Sequence, residues 1–156
     1  MRKLTATLLL LAACRSTPAP DPAPRPSTTP ATTPSSSQPG AATAAAAVRA
    51  YLASAQSQDL QAMSVIWGSK DGPARATLPR DELEKRELIN IRCLTHDTYD
   101  ILSEAPSPAG KRVFAVMLRR RDQTRTTNFY AVPGPSGRWY LESFEQEPIR
   151  EFCVAR

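Results

Sequence analysis

The sequence predicts a single α+β domain, three helices followed by about four antiparallel strands, set behind a long proline-rich segment. Three observations carry that prediction. Apolar residues recur at helical spacing between about residues 43 and 91, and after Thr95 the pattern changes to segments rich in aromatic and β-branched residues. The pieces between those segments are short and rich in Pro, Gly, Ser and Asp, which favours hairpins. The third observation sets the boundary. Eight of the 15 prolines in the 156 residues fall between Pro18 and Pro39, where no helix or central strand would tolerate them.

The chain opens Met1-Arg2-Lys3 and then runs apolar from Leu4 to Ala13. A basic start followed by about ten apolar residues has the form of a secretion signal, too short to span a bilayer core of ~30 Å as a helix. The run ends Leu11-Ala12-Ala13-Cys14, which resembles the bacterial lipobox. That resemblance implies a lipoprotein: residues 1–13 are a signal peptide cut between Ala13 and Cys14, and the Cys14 thiol carries a diacylglyceryl group. Two or three long acyl chains anchor firmly where one short chain binds only marginally, since each buried methylene contributes ~0.8 kcal/mol. The expected location is therefore a bacterial membrane, with the domain facing the periplasm or the exterior. Arg15 rather than Asp follows Cys14, so an outer-membrane destination fits if the cell is Gram-negative. An ordinary cleaved signal that happens to contain a cysteine is the alternative.

Residues 14–42 form the expected tether. Beyond Cys14 they are nearly all Pro, Ser, Thr and Ala, without aromatic or branched aliphatic side chains, so they cannot offset the entropy of ordering. The Ala-Pro-Asp-Pro-Ala-Pro-Arg-Pro stretch favours extended polyproline II, and the segment from Arg15 to Ala42 spans roughly 30 Å as a coil. A proline-rich ligand for a partner module is the other reading. From Thr43 onward sixteen Lys/Arg face fourteen Asp/Glu, so the domain, residues 43–156, is close to balanced. The overall net charge of +5 thus does not mark a nucleic-acid binder.

Thr43 is placed to cap a first helix running to about Ser54, with Ala47, Val48, Tyr51, Leu52 and Ala55 on one face. Ser57-Gln58-Asp59 breaks it, and a second helix carries Leu60, Met63, Ile66 and Trp67, with Gly68 as its stop. Residues 68–77 read as loop. Pro79 precedes a third helix, Arg80 to about Ile91, supported by Asp81/Lys85 and Glu82/Arg86 pairs and burying Leu83, Leu88 and Ile91. Four strands follow: Thr95–Ser103, Arg112–Arg120, Arg125–Val132 and Arg138–Glu145. Val113 to Leu118 is apolar on both faces, so that strand is expected to be central and covered on both sides. Helices first and a strand meander after them define an α+β fold, with the helices on one face of a curved sheet.

Val48-Arg49-Ala50-Tyr51-Leu52-Ala53, then Gln58-Asp59-Leu60-Gln61-Ala62-Met63 with Trp67, and the late Gly137-Arg138-Trp139, resemble the nuclear transport factor 2-like superfamily. The resemblance covers Thr43 to about Glu147. It implies a cone-shaped α+β fold, with a cavity between helices and sheet that Tyr51, Trp67, Tyr99, Phe129 and Trp139 would either line or fill. Small bacterial lipoproteins with such domains are commonly of unknown function.

With Cys14 assigned to lipid, Cys93 and Cys153 remain. In an oxidising compartment a disulfide between them is the economical reading, and it would pin the tail Ile149-Arg150-Glu151-Phe152 to the body. Unpaired, buried or reactive thiols are the alternatives. Cys93 and His96 are too few for a metal site, and none is expected. The chain has one histidine, no nucleophile elbow and no Gly-rich phosphate loop, so no cofactor and no catalytic residue are assigned. His96, Asp97 and Tyr99 lie on the first predicted strand. Arg119-Arg120-Arg121 with Arg125 reads either as a solvated hairpin tip or as a contact for anionic headgroups. The expected role is a lipid-anchored, non-catalytic binding or interaction module for an envelope protein or a small apolar ligand. A small-molecule isomerase or hydrolase on the same fold is the alternative.

Overall fold

The computed structural model describes residues 38–154. The leader, the Ala13/Cys14 junction and most of the proposed tether lie outside the described residues. The described chain is α+β, with helices and a four-stranded antiparallel sheet in the order β3-β4-β5-β6. In chain order the elements are α1 (Ala44–Ser57), α2 (Leu60–Ile66), β1 (Gly68–Ser69), β2 (Gly72–Pro73), α3 (Ala74–Thr77) and α4 (Arg80–Leu94). Then come β3 (Thr98–Pro106), β4 (Arg112–Arg120), β5 (Gln123–Pro133), β6 (Trp139–Phe144) and α5 (Arg150–Val154).

Short polar side chains start the first two helices. Thr43 accepts a hydrogen bond from the Ala46 N–H at 3.1 Å, and Asp59 accepts one from the Ala62 N–H at 2.9 Å. Gln58 ends α1 in the left-handed region, φ 57°, which turns the chain straight into the second cap. Residues ahead of Thr43 are already held by the domain. Ala41 and Trp139 exchange backbone hydrogen bonds at 2.8 and 2.9 Å, and Gly40 N–H donates to Val65 O at 2.9 Å.

The segment between α2 and α4 is more ordered than the loop expected from the sequence. Trp67, in extended conformation, caps α2, and Gly68 begins a two-residue ladder with Gly72–Pro73. A Cβ on Gly68 would come within 2.3 Å of the Gly72 carbonyl oxygen, so no other residue fits this close approach. Ala74 N–H then donates to Trp67 O at 2.8 Å, which hangs the single turn of α3 beneath α2.

Helix α4 runs three residues beyond the predicted Ile91, and its buried side differs from the prediction. Leu83, Glu87, Asn90, Ile91, Cys93 and Leu94 are buried, whereas Leu88 is 52% exposed. The angle per residue explains this. Glu87 lies about 40° from Leu83 around the helix, and Leu88 lies about 140° away on the solvent side. The Asp81–Lys85 and Glu82–Arg86 ion pairs form as expected.

The first strand starts at Thr98 rather than Thr95 because the end of α4 consumes the intervening residues. The Thr95 N–H and Oγ1 both donate to Ile91 O at 2.8 Å, and His96 Nδ1 lies 2.7 Å from Leu94 O. His96 and Asp97 therefore precede the sheet, and only Tyr99 is on the strand. In β4, Phe114, Val116 and Leu118 are buried towards the core while Val113, Ala115 and Met117 are half-buried. The strand is central but fully covered on one side only, a correction to the two-sided burial expected from its composition. Register shifts between Ile101 and Ser103 and between Tyr130 and Ala131 add local twist.

The core joins Val48, Tyr51, Leu52 and Ala55 of α1 to Met63, Leu94, Phe114, Phe129 and Leu141, all without solvent exposure. Each large side chain so buried contributes about 1.5–3 kcal/mol relative to exposure. The C-terminal tail closes this core. Ile149 and Phe152 are wholly buried, and the Cys93 and Cys153 sulfurs lie at disulfide distance, 2.21 Å. Arg120 donates to Phe152 O at 2.8 Å with its guanidinium 5.9 Å from the Phe152 ring centre. The rest of the arginine cluster also has partners within the domain. Arg119 pairs with Asp100 at 2.6 Å, Arg125 with Glu151, and the Arg121 N–H donates to Asp97 at 2.6 Å.

Candidate ligand-binding site

The aromatic residues expected to line a pocket are spread through the fold. Tyr51 and Phe129 are wholly buried in the core, and Phe129 stacks on Phe144 at 5.6 Å. Trp139 and Tyr99 are half-buried against the core, Tyr99 edge-on to His96 at 5.4 Å. Trp67 faces a recess of about 190 Å³ with Ala74, Thr77 and Leu78, and donates through Nε1 to Glu142 O at 3.3 Å. The sequence did not single out the residues that do converge on a larger opening.

That opening is a recess of about 520 Å³ built by α2, α3 and α4. Helix α2 supplies Leu60, Gln61 and Ser64, neighbours at helical spacing, and α3 with its exit supplies Arg75 and Leu78. Helix α4 supplies Arg80, Leu83, Glu84 and Glu87, which recur at intervals of three and four on one face. Its size lies in the ~300–1,000 Å³ range of small-molecule sites.

Glu87 is the chemically distinctive member. It is 3% exposed, and its Oε1 has no hydrogen-bond partner. Burial, with the Glu84 carboxylate adding to it, pushes its pKa from the ordinary 4.5 up to about 7. Behind it, Tyr51 is buried with its hydroxyl lacking a hydrogen bond of good geometry. Burial raises the Tyr51 pKa far above that of a free phenol; the Asn90 amide opposes that rise and the Glu87 carboxylate reinforces it. A buried carboxyl and phenol, both under-satisfied, cost stability that a well-packed apolar pair would not. Such a local cost is common at sites built for a ligand.

The rim carries charge of both signs. Arg75, Arg80 and Glu84 are exposed, and among the described residues none of them joins an ion pair. Leu60, Leu78 and Leu83 supply the apolar walls. The arrangement can accept a hydrogen bond or a cation at Glu87 and hold an anionic group at the arginines.

His96 is buried at 3% exposure, with Nε2 unpartnered, but it does not line this recess. Cys93 cannot join it in a metal site while bonded to Cys153, and no group of three His, Cys, Asp or Glu suited to a metal occurs among the described residues. No helix among the described residues is long and apolar enough to cross a membrane.

The fold and recess together define an α+β domain with a small-molecule-sized opening between its helices. No family model, no curated protein and no solved structure matches the chain.

Proposed function

We propose that the protein is a lipid-anchored bacterial envelope lipoprotein whose domain is a non-catalytic binding module of the nuclear transport factor 2-like type. The recess between α2, α3 and α4 is its ligand seat. The anchor rests on Leu11-Ala12-Ala13-Cys14 and the proline-rich segment after it; the membrane is reached through the lipid on Cys14, and the balanced charge argues against a nucleic-acid partner. The superfamily reading rests on the Tyr51, Asp59 and Trp67 pattern together with helices preceding a four-stranded antiparallel meander. One observation carries the binding role: a recess of about 520 Å³, of small-molecule size and with apolar and charged side chains in its lining, lies between these helices with the buried Glu87 at its wall.

A thermal-shift survey of several hundred small metabolites on the purified full-length protein tests this. At least one chemical class should raise the melting temperature of the wild type and leave Glu87→Leu unmoved. A survey in which no compound stabilises the wild type would overturn the binding role.

The pKa of Glu87 near 7 favours a second reading, an isomerase or hydrolase using this carboxyl as general acid–base. It makes a different prediction. Compounds that bind would also be converted, and Glu87→Gln would abolish conversion while sparing affinity.

A further inference from the structure

Four large hydrophobic side chains stand exposed among the described residues, and three of them belong to α4 and α5. Leu88 and Ile89, 52% and 56% exposed, lie on the outer side of α4, and Val154, 68% exposed, ends α5. At 100° per residue, Leu88, Ile89 and Arg92 fall within about 100° of arc, on the side of the helix away from the buried Leu83 and Leu94. Val154 follows Cys153, whose sulfur meets that of Cys93, the residue after Arg92.

Charge sorts the same way. The carboxylates that flank this face are paired, Asp81 with Lys85, Glu82 with Arg86, Glu147 with Arg150 and Glu151 with Arg125. Glu84 and Glu87 line the recess instead. Arg92 is exposed, and Arg120 directs its guanidinium to the carbonyl oxygens of Arg92 and Phe152. Among the described residues neither arginine joins a carboxylate, so the end of α4 keeps an excess of positive charge beside exposed aliphatic side chains. That combination complements an anionic lipid surface.

The point where the described chain begins agrees with it. Gly40 N–H donates to Val65 O at 2.9 Å, and Trp67, two positions on, borders a groove of about 370 Å³ with Ile89 and Arg86. Gln38 follows Cys14 by 24 positions, a length of chain that cannot hold the domain more than about 80 Å from an anchor at Cys14. We infer that the outer face of α4, with the end of α5, docks on an anionic phospholipid bilayer, Leu88, Ile89 and Val154 entering the headgroup boundary and Arg92 meeting phosphates. This rests on the lipid anchor proposed for Cys14 and adds a second contact to it. Anchorage makes the docking step intramolecular, so a few side chains suffice.

Full-length protein purified from membranes and reconstituted in vesicles tests this, with an added tryptophan as reporter. Leu88→Trp places it on the proposed face, and Leu102→Trp places it on β3 at an equally exposed position. In vesicles of phosphatidylcholine with brominated phosphatidylglycerol, the tryptophan at position 88 should be quenched and that at 102 should not. In brominated phosphatidylcholine alone the quenching at 88 should fall towards the level at 102. Adding Arg92→Ala to Leu88→Trp should lower the docked-to-free ratio about fivefold, the weight of one basic residue near an anionic surface. Leu88, Ile89 and Arg92 are exposed, so these changes leave the core intact.

Equal quenching at both positions, in protein whose mass shows the lipid, would overturn the docking face and leave the anchor standing. A blue shift at 88 without quenching would mean that protein, such as a second copy of the chain, covers the face, and would also overturn it. Should the mass show no lipid, selective quenching at 88 when vesicles are added would sustain the docking face without the anchor, and its absence would end both.

Discussion

Replacing both Cys93 and Cys153 with serine should cost about 4 kcal/mol of stability, the chain-entropy value for a loop of this length. The pair closes a loop across 60 positions and ties α5 to α4. Without it, five-residue α5 depends on the burial of Ile149 and Phe152 and on the Arg120 contacts, because a helix that short has no stability of its own. Native domains typically hold about 5–15 kcal/mol in all, so the double variant would be close to the edge of folding. Urea unfolding under non-reducing conditions measures the effect. A loss under about 1 kcal/mol would mean that the tail is held by packing alone.

Glu87→Gln should act in the opposite direction, increasingly so as pH rises above about 4.5. The folded-state pKa of Glu87 is raised to about 7 from 4.5. Below pH 4.5 both folded and unfolded chains carry this proton, and the group costs nothing. As pH rises from 4.5 to 7 the unfolded chain ionises first, and stability is lost progressively; above 7 the full cost remains. Its size follows from the shift, roughly 3 kcal/mol. The glutamine variant has no such titration. It should therefore match the wild type near pH 4 and exceed it by up to roughly 3 kcal/mol at pH 8. Comparing the two proteins at each pH cancels the other carboxylates, which both share. A difference that does not grow between pH 4 and pH 8 would show that Glu87 is not held in a desolvated site. A stabilising variant that also weakens ligand binding would show a site kept at the expense of stability.

Much of the fold was legible because local chemistry decided it. Thr43 and Asp59 announce helices through their capping oxygens, and the strands follow from aromatic and β-branched residues between Pro/Gly-rich turns. Cys93 and Cys153 were legible by elimination once Cys14 was set apart. What escaped depended on contacts between distant segments. Helix α5 is too short to carry a period, and its order comes from Arg120 and Cys93, far away in sequence. The ladder at Gly68–Pro73 is two residues a side.

The candidate site was nearly invisible for a related reason. Reading α4 by residue type placed Leu88 inside, when its angle from Leu83 assigns that position to Glu87. A carboxylate on an otherwise apolar stripe of Leu83, Ile91 and Leu94 was the one signal that could have revealed it. The aromatic residues drew attention instead, but Tyr51 and Phe129 serve the core. The residues of α2 and α3 that line the recess with Glu87 are distant from it in sequence, and the short ladder at Gly68–Pro73 lies between those two elements.

The proposed envelope attachment through Cys14 would give the recess its setting, and the intact mass of the protein extracted from native membranes tests it most directly. A lipoprotein has the mass of a chain beginning at Cys14 plus a diacylglyceryl group, with or without a further acyl chain. An unmodified chain beginning at Met1, or one cut elsewhere and free of lipid, would contradict the anchored module proposed for this protein.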